Sequence, residues 1–385
     1  MMDRRVRTRS VSILVGLIGL TMAGCGGGGS SSPPSPPNSP LLYGTGFNQI
    51  VGLRQNASTG ALTAATTTPG PNTGLATTAT LAADPSGKFL FVYDTDGGAI
   101  DVFSINAATS ALTPVSGSPF PAGGLGGAGG LVLASSGKFL YVAGVFGIDA
   151  FAVNATSGAL TLVPGSPFAD NNAPLGVVAV PSGKFVYTTD VGNGQSATIS
   201  GFSANSASGA LTPVPGSPFS TLTNGSPFYL TTHSTGQFLY AGTPSSNLVA
   251  AWRIDSATGS LSLLPGFPLV LIPGNDTSIS NLLADPSGRF LYVSDDLGEI
   301  FGFTINGSSG ALTAMPGSPF SPFFIFDRLF VDPSGRYLYS PAGPFLGGLR
   351  IDPKTGVPMP LSGSPFEAGA GLSVPATLAF APGTP

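Results

Sequence analysis

The sequence predicts an all-β fold, a closed ring of seven four-stranded blades (a seven-bladed β-propeller). Three observations carry that prediction. Glycine and proline are abundant, 56 and 37 of 385 residues, yet after residue 40 they recur at fixed places instead of scattering as in a low-complexity chain. Three short motifs repeat, and the leucines of one of them are spaced by 50, 48, 51, 50 and 51 residues, the period of propeller-type repeats. Each repeat holds four short apolar runs separated by Gly-containing turns. The same composition excludes other classes. Only 8% of residues are charged, and so much Gly and Pro argues against helix bundles. Lys+Arg is 14 against Asp+Glu 18, which gives no basic footprint for nucleic acid. A hydrophobic fraction of 42%, with 26 Phe, is ample for a core.

The first element is an address. Arg4, Arg5, Arg7 and Arg9 precede an uncharged apolar run from Val11 to Met22, followed by Ala23-Gly24-Cys25. A basic start, a short apolar centre and small residues at the end make residues 1–24 a signal peptide. The apolar run is shorter than the roughly 20 residues of a membrane-spanning helix. Met22-Ala23-Gly24-Cys25 resembles a bacterial lipobox, in which the cysteine is lipidated and becomes the mature N-terminus. Residues 25–40, from the lone Cys25 through a run of Gly, Ser and Pro, form a tether with nothing to pack. Removing residues 1–24, with four Arg and one Asp, takes the net charge from −4 to −7. One cysteine permits no internal disulfide.

Residues 41–385 carry the repeats. Pro-Ser-Gly-Lys-Phe-Leu-Tyr-Val and its variants place a glycine at Gly87, Gly137, Gly183, Gly236, Gly288 and Gly335. Thr-Gly-Ala-Leu-Thr places its leucine at Leu62, Leu112, Leu160, Leu211, Leu261 and Leu312, with a degenerate copy at Thr355-Gly356. Gly-Ser-Pro-Phe ends at Phe120, Phe168, Phe219, Phe320 and Phe366, with Gly266-Phe267-Pro268-Leu269 as a variant. In one repeat, Val177–Val180 is strand A, Phe185–Thr189 strand B, Ile199–Ala204 strand C and Leu211–Val214 strand D. Strand B begins near Leu42, Leu90, Leu140, Val186, Leu239, Leu291 and Leu338, seven starts against six turns of the Pro-Ser-Gly kind, variants included. The missing strand A is Ala376–Pro382, which reads like Leu81–Pro85. The C-terminal strand therefore completes the N-terminal blade and closes the ring.

Aligned repeats separate core from site. Leu53, Phe103, Phe151, Phe202, Trp252, Phe303 and Leu349 share one register on strand C, which makes the single tryptophan a packing residue. His233 is the only histidine and the default acid–base candidate. It lies at the A–B turn, however, where other repeats carry Asp84, Asp285 and Asp332. Propeller sites lie at the opposite end, where the D–A and B–C loops meet the central channel. Lys88, Lys138, Lys184, Arg289 and Arg336 follow the A–B turn, Arg54, Arg253 and Arg350 share a register on strand C, and Lys354 sits in a C–D turn. Arg328 alone lies in a segment leading to the channel. The polar candidates of the D–A loops are Asp170-Asn171-Asn172, Asn275-Asp276, Asp327-Arg328 and Glu367. Those of the B–C loops are Asp94, Asp96, Asp190, Asn193, Asp295, Asp296 and Glu299. Such oxygens cap turns, or converge on Ca²⁺ or another hard cation; no other cofactor is expected.

The Pro-Ser-Gly-Lys-Phe-Leu-Tyr-Val turn, a strand such as Ile100-Asp101-Val102-Phe103-Ser104-Ile105, and then Thr-Ser-Gly-Ala-Leu-Thr resemble the lactonase-like seven-bladed propellers. That family includes the 6-phosphogluconolactonase-like proteins and the related YVTN repeats. The resemblance covers nearly all of residues 41–385. It implies lactone hydrolysis or formation by His, Glu and Arg side chains in the channel. This chain has no histidine in a channel-facing register, and its mature part holds two Glu. The expectation is therefore an exported, lipid-anchored, monomeric propeller of the bacterial cell envelope, touching the membrane only through its anchor. It would bind a small molecule, a carbohydrate or an envelope protein at the channel mouth. The alternative is a lactone hydrolase, on a non-phosphorylated lactone before a phosphorylated one, with Asp327 or Glu367 as base and Arg328 stabilising the developing oxyanion.

Overall fold

The computed structural model describes residues 39–46, 48–69, 79–95, 97–122, 129–144, 146–170, 174–190, 198–221, 229–243, 247–271, 278–321, 328–368, 372 and 377–382. The address segment, Cys25 and the tether up to residue 38 lie outside them. The described residues form seven antiparallel sheets of strands A to D. In the first blade, Leu41–Gly46, Gln49–Gln55 and Leu62–Pro69 are strands B, C and D, and Leu378–Ala381 supplies strand A. Leu41 pairs with Ala381 and Gly44 with Leu378, so the ring closes as the repeat count requires. Thr377 ties the closing strand down twice more. Its N–H donates to the Thr45 hydroxyl at 3.1 Å, and its own hydroxyl donates to the Ala79 carbonyl of the second blade at 2.7 Å.

Every blade lacks a core of its own. The apolar side chains form seven separate layers, each shared by two neighbouring blades. Strand B is buried along its whole length in six blades because both of its faces are covered, which is why it reads as a continuous apolar run. Its third residue is Tyr in six blades, and that hydroxyl donates to a carbonyl in the C–D turn of the next blade. The pairs are Tyr43 with Ser110, Tyr141 with Gly209, Tyr187 with Gly259, Tyr240 with Gly310, Tyr292 with Gly356 and Tyr339 with Gly60. The second blade has Phe91 at this register. The turn glycine is required twice over: Gly158 has φ +74°, and a Cβ there would stand 2.6 Å from the Phe89 ring. Trp252 is buried between the fourth and fifth blades as the strand C register predicted.

One element differs from its reading. Gly-Ser-Pro-Phe does not simply end the repeat; it returns the chain to the outer edge of strand C. Phe120–Pro121 pairs with Ala99 and Ile100, Phe219–Ser220 with Thr198 and Ile199, and Phe366–Glu367 with Phe345 and Leu346. Strand D is thus split by a bulge that carries a proline without an N–H. The serine hydroxyl fills the missing place in the ladder. Ser118, Ser166, Ser217, Ser318 and Ser364 each accept the N–H of a strand C residue at 2.8–3.0 Å. The following phenylalanine packs into the layer between its own blade and the next.

Candidate functional site

The A strands of successive blades touch from the first blade through the sixth, and a cavity of about 250 Å³ opens among residues of strand A, or just before it, from all seven. Its wall holds Thr80, Gly129 and Gly130, Leu175 to Val177, Tyr229 and Leu230, Asn281 and Leu282, Arg328 and Phe330, and Thr377. The chain reaches this wall directly out of the D–A crossovers, so the first residues of strand A are set by crossover length and turned to the channel. Three polar groups stand out. Arg328 is the only cation on the wall, and among the described residues it has no hydrogen-bond or ionic partner. The Asn281 Oδ1 and the Thr80 Oγ1 are buried without a hydrogen bond. A buried acceptor left unpaired costs about 1–3 kcal/mol. Leu175, Val177, Leu230, Leu282 and Phe330 make the rest apolar, which is the usual make-up of a small-molecule site.

Four of the other described arginines are engaged elsewhere, and Arg350 is exposed on strand C of the seventh blade. Arg54 donates to the Ala108 carbonyl at 2.9 Å, Arg253 to Ser308 at 2.9 Å and Arg289 to Pro353 at 2.7 Å, and Arg336 donates to Ala57. Each reaches the C–D turn of the neighbouring blade. His233 is equally committed. Its Nε2 donates to the Gly288 carbonyl at 2.6 Å, and its Nδ1 lies 2.7 Å from the Thr235 hydroxyl. Only 3% exposed, it locks one A–B turn to the next and offers nothing to a substrate.

Of the three residues proposed for catalysis, Arg328 stands where the sequence placed it. Asp327 lies outside the described residues. Glu367 does not reach the channel: it is exposed, and it pairs with Phe345 on the outer edge of strand C. Three strand spacings separate that edge from strand A, roughly 14 Å. Its reading as a channel residue fails because the segment after Ser-Pro-Phe first joins the outer ladder. Asp96, Asn171, Asn172, Asn193, Asn275 and Asp276 also lie outside the described residues.

The acidic residues divide into two kinds. Asp295 accepts the N–H groups of Leu297 at 3.1 Å and Glu299 at 2.8 Å, and Asp296 accepts that of Ser278 at 2.9 Å; these are turn caps. Glu299 accepts a long bond from Ser321 at 3.4 Å. Asp94, Asp170 and Asp190 are buried side chains, and Asp295 is buried as well as capping its turn. Burial, and then the neighbouring Asp170, pushes the Asp190 carboxyl up to about 7. Asp101 and Asp149, on strand C, are buried too and were missed in the sequence. Burial, and then Asp94, pushes Asp101 up to about 6. Their signal was a carboxylate inside an apolar strand, Ile100-Asp101-Val102 and Ile148-Asp149-Ala150. Among the described residues no three His, Cys, Asp or Glu side chains are grouped to hold a metal ion, so the Ca²⁺ expectation has no ligand set there.

No protein-family model and no curated protein matches this chain. Solved structures do. A candidate 6-phosphogluconolactonase from Bacteroides fragilis superposes with a TM-score of 0.72 at 20% identity, over 90% of this chain and 99% of that one. The fold is that of the lactonase-like seven-bladed propellers. A periplasmic gluconolactonase from Pseudomonas aeruginosa matches at TM-score 0.69 and 19% identity, again over 90% and 99%. A candidate 6-phosphogluconolactonase from Bacteroides uniformis matches at 0.69 and 18%, over 89% and 99%. At such identities the likeness concerns the fold.

Proposed function

We propose that this lactonase-like propeller is a binding module of the cell envelope, exported and held by a lipid on Cys25, whose channel takes a small hydroxylated anion such as a sugar acid. The observation that carries this reading is Arg328. Among the described residues it is the wall's one cation and has no partner, while Arg54, Arg253, Arg289 and Arg336 are all bonded to turn carbonyls. A guanidinium pairs well with a carboxylate, and the wall residue Asn281 brings an amide that a ligand hydroxyl can bond once the side chain turns to it. A cavity of about 250 Å³ suits a single monosaccharide-sized guest rather than a polymer. Calorimetric titration of the chain with gluconate and galacturonate tests this. Arg328→Met should weaken binding at least tenfold, or about 1.4 kcal/mol, with the melting temperature unchanged; equal affinity in the variant refutes it. Mass spectrometry of the mature N-terminus tests the anchor, and an unmodified Cys25 removes it.

A second reading, hydrolysis of a non-phosphorylated lactone, is favoured by the fold shared with a periplasmic gluconolactonase and by the same arginine. Arg328 would stabilise the oxyanion that forms as water adds to the lactone carbonyl, with Asp327 as the base. Gluconolactone hydrolysis should then fall about 10²-fold in Arg328→Met and stay unchanged in Glu367→Ala. Activity that survives Arg328→Met ends this reading.

A further inference from the structure

Asp170 closes the third blade and Asp190 ends strand B of the fourth, and the two carboxyl groups are linked through two hydroxyls. The Thr188 hydroxyl lies 2.8 Å from Asp170 Oδ2 and 3.3 Å from Asp190 Oδ1. The Ser200 hydroxyl lies 3.2 Å from Asp170 Oδ1 and 2.7 Å from Asp190 Oδ2. Together the four side chains make a closed ring of contacts. A third hydroxyl, that of Thr198, donates to Asp190 Oδ2 at 2.8 Å. Asp190 is 0% and Asp170 4% exposed.

Hydrogen counting decides the charge state. Each bridging hydroxyl owns one hydrogen and can give it to only one carboxylate at a time. With both groups ionised, two of the four ring contacts would hold no hydrogen, and two negative charges would lie buried side by side. Among the described residues nothing nearby compensates them. The strands around the ring, Pro174–Ala179, Phe185–Asp190 and Thr198–Ala204, carry no cation near it; Lys184 is at the other end of the blade. The third blade's titratable group on this side is Tyr141, whose hydroxyl is given to Gly209. Asp149 lies on that blade's other side, against Tyr93. A proton on one carboxyl would supply a donor to a hydroxyl oxygen and remove one charge.

We propose that Asp170 and Asp190 share a single proton, and that the protonated pair clamps the end of the third blade onto the top of the fourth. The clamp bears on the channel wall. Asp190 pairs with Pro174, immediately before Leu175, and the Thr189 hydroxyl accepts the Gly176 N–H at 2.9 Å. The upward displacement of the Asp190 carboxyl agrees with this. The sign is that of an acid protonated in the fold and ionised when unfolded. Its stabilisation is whole below the ordinary carboxyl range and falls as pH rises through about 7.

Carbon-13 NMR titration of the aspartate carboxyls in the full chain reads the proton directly. The Asp190 carboxyl resonance should titrate near neutrality, and that titration should vanish in Asp190→Asn. Asp190→Asn and Asp170→Asn should each lose part of the fall in melting temperature between pH 4 and pH 8. Complete ionisation of every aspartate by pH 5 in the wild-type chain overturns the proposal, even if neither variant folds. So does an unchanged pH profile of melting in both variants.

Discussion

The ring is joined differently at its two most contrasting blade contacts. Between the seventh and first blades, polar groups cluster. Tyr339 donates to the Gly60 carbonyl at 2.6 Å and accepts from the Gln55 amide at 2.9 Å. Tyr337 donates to Ser58 at 2.7 Å, and Arg336 to Ala57. Between the second and third blades, Phe91 replaces the tyrosine and Lys88 the arginine, and the layer is built on Phe89, Phe91, Phe120, Phe151 and Leu140. The tyrosine bond is also made at the five other contacts between consecutive blades, so the second and third blades show that apolar packing can replace it. The first three strands continue along the chain into the second blade and share a layer with it, whereas they meet the seventh blade through the closing strand, an apolar layer and these contacts. Hydrogen bonds are directional and fix the register of a piece that could otherwise slide or leave.

The comparison can be broken at several points. Removing residues 377–385 takes away the closing strand; the loss should approach the roughly 5–15 kcal/mol that holds an ordinary domain together, and cooperative melting should disappear. A cooperative transition near the wild-type temperature would mean that the ring closes by other means. Tyr339→Phe orphans two buried partners and should cost about 2–3 kcal/mol in chemical denaturation. The reciprocal change, Phe91→Tyr, should be neutral or stabilise by up to about 1 kcal/mol if the new hydroxyl meets the Gly158 carbonyl. A large destabilisation would show that the second layer has no room for it. Arg289→Ala loses one solvent-exposed bond to Pro353 and should cost no more than about 1 kcal/mol.

Asp101 sharpens the same picture through pH. Its carboxyl is raised by burial to about 6, so its share of stability is complete below the ordinary carboxyl range and is lost as pH rises through 6. Asp101→Asn should flatten that part of the melting profile and leave the Tyr339 contacts untouched.

Much of this was legible in the chain because repeats annotate themselves. Phe-Leu-Tyr-Val and its variants recurring after the glycine turn located six of the seven strands B, and the count of those turns exposed the C-terminal strand as the missing piece. The split outer strand was not legible, since its pairing depends on a serine hydroxyl replacing an N–H that proline lacks. Arg328 was legible from its place just before strand A. Glu367 was misread because the same D–A segment first runs along strand C. The buried pair Asp170 and Asp190 could not be told from turn caps, because their burial comes from the neighbouring blade and not from their own sequence surroundings.

The central claim is that the wall around Arg328 receives a small hydroxylated anion. A crystal structure of the chain grown with a sugar acid tests it most directly. The account predicts density in the channel with a carboxylate on Arg328 and a hydroxyl within hydrogen-bond reach of Asn281. Density elsewhere, such as the apolar groove of Ile300, Phe320, Leu349 and Pro358 between the sixth and seventh blades, with the channel free of ligand, would contradict it.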